Sequence, residues 1–281
     1  MLLKAIVVSS ICALALSMYI AEPVHWHRHQ YLVKVLTMNM TNKEISTCSG
    51  SLLSPSIVLT SAKCFAGDTK NTQAQAIIKS KDSKSTINKA MLAVRIDGDL
   101  ALMKIDAVAE KTDSDFCDKD PYPSRVARLP FKSSITEAPY QNVEPKVLQD
   151  SRCRVIGFTT NDDVEDFATS NSVQMLELDV RADKENLMFS EVNVNSTGRA
   201  CWDDIGAPLE CMIDENKKWF QVGLVHAIFG REMDKDSNTT LDVSCSDVQT
   251  MQFVVFGDNT FAHAIEHVDK SSVFEAQAKC F

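Results

Sequence analysis

This chain of 281 residues lacks several features, and each absence argues against a class of protein. No cluster of Lys and Arg stands out and the net charge is −9, which argues against a nucleic-acid partner, because phosphate binding needs concentrated positive charge. No CxxC pair and no Cys/His spacing typical of a zinc site occurs. No internal repeat is present, and no apolar run after residue 16 is long enough to span a bilayer. We therefore expect a globular protein with no nucleic-acid partner, no membrane span and no cofactor.

The first residues have the pattern of a secretory signal. Lys4 supplies a positive charge, and Ala5–Leu16 is an apolar run of signal-peptide length. Small residues suited to cleavage follow, so we predict a signal peptide over 1–21 that is cleaved at 17 or 21. An uncleaved membrane anchor is the alternative, but the run is shorter than the roughly 20 residues that a membrane span needs.

The cysteines and the sequons indicate an extracellular protein. Of nine cysteines one, Cys12, lies in the signal, and the remaining even number is typical of disulfides formed in an oxidising compartment. N-glycosylation sequons begin at Asn39, Asn195 and Asn238. We therefore expect a secreted glycoprotein.

The hydrophobic pattern predicts an all-β fold. Many short β-branched or apolar runs are separated by Asp, Asn, Lys, Ser and Gly, which is typical of a barrel or sandwich. Helical spacing is clear only near the end, where we predict a helix over about 260–268. The least patterned segment, Asp106–Asp150, is the expected connection between two halves. The predicted strands are Tyr31–Thr37, Ser51–Thr60, Gln75–Ile78, Met91–Ile96, Ala101–Ile105, Arg154–Phe158, Val173–Val180, Trp219–Phe229 and Met251–Phe256.

Two cysteine-framed segments carry the strongest motifs. Cys48–Cys64 ends in Thr-Ser-Ala-Lys-Cys, and Cys201–Cys211 contains Asp-Asp-Ile-Gly-Ala-Pro. They resemble the TAAHC and GDSGGP motifs of the chymotrypsin/trypsin family of serine peptidases. Four further segments resemble, in order, the family's DIALLKL, CxVSGWG, VGIVSWG and closing VYTRV segments: Asp99–Lys104, Cys153–Phe158, Val222–Val225 and Phe256–Val268.

The resemblance implies two six-stranded antiparallel barrels with a cleft between them. The domain would cover 22–281, with the first barrel at about 30–120, the second at about 150–256 and the helix after it. The resemblance also implies disulfides, with the last of the four paired by elimination: Cys48–Cys64, Cys153–Cys211, Cys201–Cys245 and Cys117–Cys280.

Residue by residue, the resemblance implies that the catalytic groups are replaced. Asp99 alone matches the triad of nucleophile, base and orienting carboxylate. Ile205 stands at the serine position, and a hydrocarbon cannot attack a carbonyl. Lys63 stands at the histidine position, where we expect a buried ion pair with Asp99 that keeps the lysine more firmly protonated. A regulatory anion site at Lys63 is the alternative to this structural pairing.

The neighbouring subsites are altered as well. Asp203 stands at the glycine that begins the oxyanion hole, and its carboxylate would repel a developing oxyanion. Arg199 would form the floor of the specificity pocket, where it either turns to solvent, pairs locally or captures an acidic ligand. The substrate-binding triplet SWG becomes His226-Ala227-Ile228. A glycan on Asn195 would lie close to this pocket and hinder substrate entry.

The family's activation signal is also missing. In the family, a cleaved IVGG-like amino terminus pairs with the aspartate before the serine, which is Asp204 here. No IVGG-like sequence precedes Gln30. We expect Asp204 to have another partner, such as a lysine, or to be solvated.

Histidines suggest two weaker candidate sites. In a strand, His25, His27 and His29 would share one face and could bind zinc or copper, whereas near a terminus a mobile segment is the plainer interpretation. His263 and His267 are four residues apart on the predicted helix, and with no third ligand evident an exposed polar face is expected.

The sequence therefore predicts a secreted, inactive serine peptidase homologue that acts by binding protein. The resemblance implies a cofactor, decoy or regulator in an extracellular protease network, in immunity, haemolymph or seminal fluid. Its partner would be an active serine peptidase or a receptor, and its oligomeric state is open. Two alternatives are a residual hydrolase with a relocated nucleophile such as Ser196, and a metal or ligand carrier that uses His25, His27 and His29.

Overall fold

The fold is described from a computed structural model of the chain. The described residues are 21–65, 69–80, 85–108, 117, 124–130, 143–158, 172–184, 187–191, 199–215, 217–230, 248–256, 260–266 and 268–281.

The described residues form fourteen strands and three α-helices. The strands are β1 Glu22–His25, β2 Leu32–Asn39, β3 Ile45–Ser54, β4 Ile57–Ser61, β5 Thr72–Lys79, β6 Thr86–Asp97, β7 Leu100–Ile105, β8 Cys153–Phe158, β9 Ser172–Leu178, β10 Arg181–Lys184, β11 Leu187–Glu191, β12 Pro208–Met212, β13 Trp219–Gly230 and β14 Val248–Val255. The helices are α1 Pro145–Gln149, α2 Thr260–Glu266 and α3 Lys270–Cys280.

The first half forms a closed six-stranded barrel, as predicted. Its strands follow the order β2-β3-β4-β7-β6-β5, and all of its pairs are antiparallel. The run Ser51–Thr60, predicted as one strand, is divided between β3 and β4. The division falls at the turn Pro55-Ser56, because proline has no N–H to donate to a neighbouring strand.

The second half forms a larger sheet than predicted. Its strand order is β1-β9-β8-β12-β13-β14-β11-β10. Eight strands take part, with β1 and β10 at the two ends, so the closed six-stranded barrel that the resemblance implied is not seen among the described strands. The amino-terminal strand β1 extends one end by pairing with β9, and the β10–β11 hairpin extends the other. The prediction of a mostly β chain with a closed barrel, a second antiparallel sheet and a carboxy-terminal helix is nevertheless confirmed.

Two helices close the chain where one was predicted. The helix predicted over about 260–268 is α2, which ends at Glu266, and α3 follows after a short break. The carboxylate of Asp269 caps α3 by accepting a hydrogen bond from the Ser272 amide at 3.2 Å. Within the part of the chain described above, no helix has the length and apolarity to cross a membrane.

Disulfides connect these elements. Three of the four expected bridges are present, namely Cys48–Cys64, Cys153–Cys211 and Cys117–Cys280. Cys201 is also disulfide-bonded, and its predicted partner Cys245 lies outside the described residues. The Cys117–Cys280 bridge ties the end of α3 to the connection between the two halves.

Candidate functional site

The segment that matches the nucleophile motif is held between the two halves. A short 3-10 helix, Trp202–Asp204, follows Cys201 and leads to Ile205 and Gly206. Ser49 on β3 donates its hydroxyl to the carbonyl of Asp203 and its amide to the carbonyl of Ile205, each at 2.9 Å. On the other side, Gly206 donates its amide to the carbonyl of Val225 at 2.8 Å. Gly206 has a φ of +87°, a conformation that favours glycine.

Ile205 is a hydrocarbon at the position that the motif resemblance assigns to a nucleophile. Its side chain is only 8% exposed and belongs to the apolar core of the first barrel, together with Cys48, Cys64 and Phe65. The side chain at this position therefore contributes to packing and offers no atom that can attack a carbonyl.

Lys63 and Asp99 lie close enough to interact, but not as the predicted buried ion pair. Lys63, on the short 3-10 helix Ala62–Phe65, is exposed, and half of the Asp99 side chain (51%) is exposed. Partial burial lowers the pKa of Lys63, and the charge of Asp99 opposes that shift without overcoming it. The expectation of a more firmly protonated lysine is therefore wrong, because desolvation outweighs the attraction.

His226 joins this pair; its place in the altered substrate-binding triplet was predicted, but its approach to Asp99 was not. The register of β13 against β14 shifts between Val225 and Ala227, so His226 is at a β-bulge that redirects its side chain. Its Nε2 atom lies 3.8 Å from Oδ1 of Asp99. Burial and the charge of Lys63 lower the pKa of His226, while Asp99 raises it. Within the described part of the chain, its buried Nδ1 atom has no hydrogen-bond partner.

Asp204 is fully buried, and a lysine lies close by. One carboxylate oxygen of Asp204 accepts a hydrogen bond from the Cys201 amide at 2.7 Å. Lys34 on β2 is 3% exposed; burial lowers its pKa to about 7, and the charges of Asp203 and Asp204 raise it. The prediction that Asp204 is solvated is wrong, because the residue is fully buried. The alternative prediction, a lysine partner, agrees with the electrostatic interaction between Asp204 and Lys34.

The expected pocket residues are buried too. Arg199 is 4% exposed, so it does not turn to solvent as one interpretation proposed. Ala227 and Ile228 are each 5% exposed. Trp202, by contrast, is 37% exposed at the start of the nucleophile segment.

The three amino-terminal histidines do not form one face. The strand ends at His25, and a 3-10 helix at Trp26–Arg28 interrupts the alternation that the metal hypothesis needs. The rings of His25 and His27 stack 5.1 Å apart, while Nδ1 of His29 lies 3.3 Å from the hydroxyl of Tyr31. Across the described ranges, no group of three or more His, Cys, Asp or Glu side chains is placed to hold a metal ion.

The remaining candidates are separate from this site. Nδ1 of His263 lies 2.9 Å from Oδ2 of Asp97. Asn39 is half-buried at the end of β2 and accepts a hydrogen bond from the Thr41 amide at 2.8 Å. Four other predicted residues fall outside the described residues: Asn195, Ser196, Asn238 and His267.

Comparisons with known proteins agree with this architecture. The family model described as "Trypsin" matches residues 27–243. Among solved structures, HL collagenase superposes with a TM-score of 0.56 at 13% identity, covering 85% of this chain and 93% of the collagenase. No significant match is found among curated proteins.

Proposed function

The chain belongs to the trypsin family of serine peptidases, and we propose that it is a secreted, catalytically inactive member that acts by binding another protein. The main support for this proposal is the buried side chain of Ile205, which packs with the first barrel at the position that the motif assigns to the nucleophile. Acyl transfer requires a nucleophilic hydroxyl and a base that takes its proton. Loss of triad members in this class of enzyme lowers turnover by about a millionfold.

The groups near Ile205 support this proposal. Lys63 stands at the position assigned to the base, and residue 205 provides no hydroxyl for a base to deprotonate. His226 is a possible base, but its Nε2 atom is directed towards Asp99. A lysine, a carboxylate and an imidazole at one cleft can instead recognise charged or polar groups of a partner.

The apolar run near the amino terminus and the disulfides support the proposal that the protein is secreted. Three bridges are present between described cysteines, and such bridges persist in oxidising compartments. The proposed partner is an active serine peptidase or a receptor in the same fluid, with this chain as cofactor, decoy or regulator.

A binding experiment with matched variants tests the proposal. The glycosylated, secreted protein is immobilised and exposed to its native extracellular fluid, captured proteins are identified, and the purified candidate is titrated against each variant. The cleft variant is Lys63→Ala/Trp202→Ala, since both side chains are exposed, whereas the buried Arg199 would confound binding with folding. The control is Lys146→Ala on the exposed surface of α1.

We expect one saturable protein partner that binds wild type and the control alike. Weakening of at least tenfold in the cleft variant would place the interface at the cleft, and equal binding by all three forms would place it on another surface. Failure to find any saturable partner would contradict the proposed function.

A further inference from the structure

Lys34 lies on the sheet face of β2 and β3 that contacts the segment Cys201–Gly206. On the β2–β3 ladder its register partner is Ser49, and residues paired in this way project from the same face of a sheet. The hydroxyl of Ser49 bonds to the carbonyl of Asp203 at 2.9 Å. The face of β2 and β3 that carries Lys34 is therefore the face on which the Cys201–Gly206 segment rests.

The segment Cys201–Gly206 carries two carboxylates, and one of them is buried inside the protein. Asp204 has no exposed surface and Asp203 is only partly exposed. The amide of Cys201 satisfies one oxygen of Asp204, but a buried carboxylate is strongly disfavoured unless a positive charge compensates for it. Lys34 is itself 3% exposed, and the charges that raise its pKa against burial are those of Asp203 and Asp204.

The start of the described chain is engaged elsewhere. Residues Glu22–His25 form β1, which pairs with β9 from Glu22↔Met175 to His25↔Ser172. Trp26 follows directly and is buried at 2% exposure. The backbone of this stretch is therefore fixed at the edge of the second sheet.

We propose that Lys34 is a positioning residue, an internal cation that holds the Cys201–Gly206 segment in its folded conformation without any cleavage of the chain. This inference rests on the proposed function, and it adds that the surface formed by this segment, which includes the exposed Trp202, is present constitutively. The neutralising charge comes from the face of β2 that carries Lys34, so the chain's own processing does not regulate the site.

Hydrogen exchange on the full secreted protein tests this inference. The reporting amides are those of Ile205, Gly206 and Ala207, which all donate hydrogen bonds. We expect Lys34→Met to accelerate their exchange at least tenfold while β4 and β7 stay protected. Lys34→Arg should keep most of the protection, and chemical acetylation of the mature amino terminus should change nothing.

A double-variant cycle between Lys34 and Asp204 distinguishes a charge interaction from simple packing of the lysine side chain. Because it measures thermal stability, it also applies if Lys34→Met folds poorly. Lys34→Met leaves Asp204 buried beside a neutral side chain, so Lys34→Met/Asp204→Asn should recover part of the lost thermal stability. Three results would each overturn the inference. They are unchanged amide exchange in Lys34→Met, faster amide exchange after acetylation of the wild type, and additive losses of thermal stability in the double variant. None of these readouts uses the partner, so failure here is distinguishable from failure of the proposed binding function.

Discussion

His226 and Asp99 approach each other from the two halves of the molecule, with Nε2 of the imidazole 3.8 Å from Oδ1 of the carboxylate. The histidine comes from β13 of the second sheet, and Asp99 immediately precedes β7 of the first barrel. An imidazole from one half of the molecule and a carboxylate from the other are thus brought together. Lys63 completes the cluster, and its charge lowers the pKa of His226.

The charges around His226 predict opposite effects of two substitutions. Lys63→Met removes a like charge and should raise the pKa of His226, whereas Asp99→Asn removes an attracting charge and should lower it. Titration of the His226 ring by NMR measures both shifts, with Lys146→Met on α1 as the control. Shifts of the same sign, or none above the control, would show that these charges do not act on His226.

Two glycines with positive φ should respond differently to alanine. A Cβ at Gly206 would collide with the carbonyl oxygen of Ser49 and the hydroxyl of Thr60, while a Cβ at Gly98 meets nothing within 4 Å. We expect Gly206→Ala to lower the free energy of unfolding by about 3 kcal/mol or more and Gly98→Ala by about 1 kcal/mol. Urea denaturation measures both, and equal losses would contradict the close approach of the nucleophile segment to β3.

His29 should make the protein sensitive to acid. Burial lowers the pKa of His29 to about 4, with Arg154, Arg28 and His27 also lowering it and Glu210 raising it. The unfolded chain takes up a proton near pH 6.5 and the folded chain only near pH 4, so stability is lost as the pH falls through this window.

The loss attributed to His29 between pH 7 and pH 5 should be about 2 kcal/mol in the free energy of unfolding. His29→Gln should remove this part of the pH dependence, and the exposed His25→Gln should leave it unchanged. Urea denaturation at the two pH values measures it; a slope that persists in His29→Gln would assign the acid sensitivity to other groups.

Gln277 joins α3 to the connection between the two halves. Its side-chain amide donates to the carbonyl of Ala127 at 2.8 Å and accepts from the amide of Leu129 at 3.0 Å. Gln277→Ala would leave both buried backbone groups unpaired and should cost about 2–4 kcal/mol in the free energy of unfolding. The exposed Glu275→Gln on the same helix should change little, and a similarly small change in Gln277→Ala would show that water replaces these bonds.

Much of the fold follows from local pattern and ordered motifs. The apolar runs predict most strands of the first barrel, and Phe261 and Ile265, buried on one face, predict α2. The cysteine spacing, read through the family resemblance, predicts the bridge Cys48–Cys64 that is present. These features depend on near neighbours in sequence or on a family pattern.

Several features that depend on distant partners, other than the disulfides, were not predicted. Strand β1 pairs with β9, about 150 residues later, and its short sequence gives no alternation to detect. Helix α3 buries the polar Gln277 beside Val273, which weakens its amphipathic pattern. His226 is redirected by a bulge, and Lys34 is a buried cation within an apolar strand, so the role of each depends on residues far along the chain.

The central claim, that this trypsin-family chain has no nucleophile, is tested most directly by a serine-reactive phosphonate probe. The purified, glycosylated protein is incubated with the probe beside an active trypsin, and intact mass reports any covalent adduct. We predict complete labelling of the active enzyme and no adduct on this chain, because Ile205 offers no hydroxyl at the reactive position. A stoichiometric adduct, mapped to Ser196 or any other serine, would contradict the account and identify a relocated nucleophile.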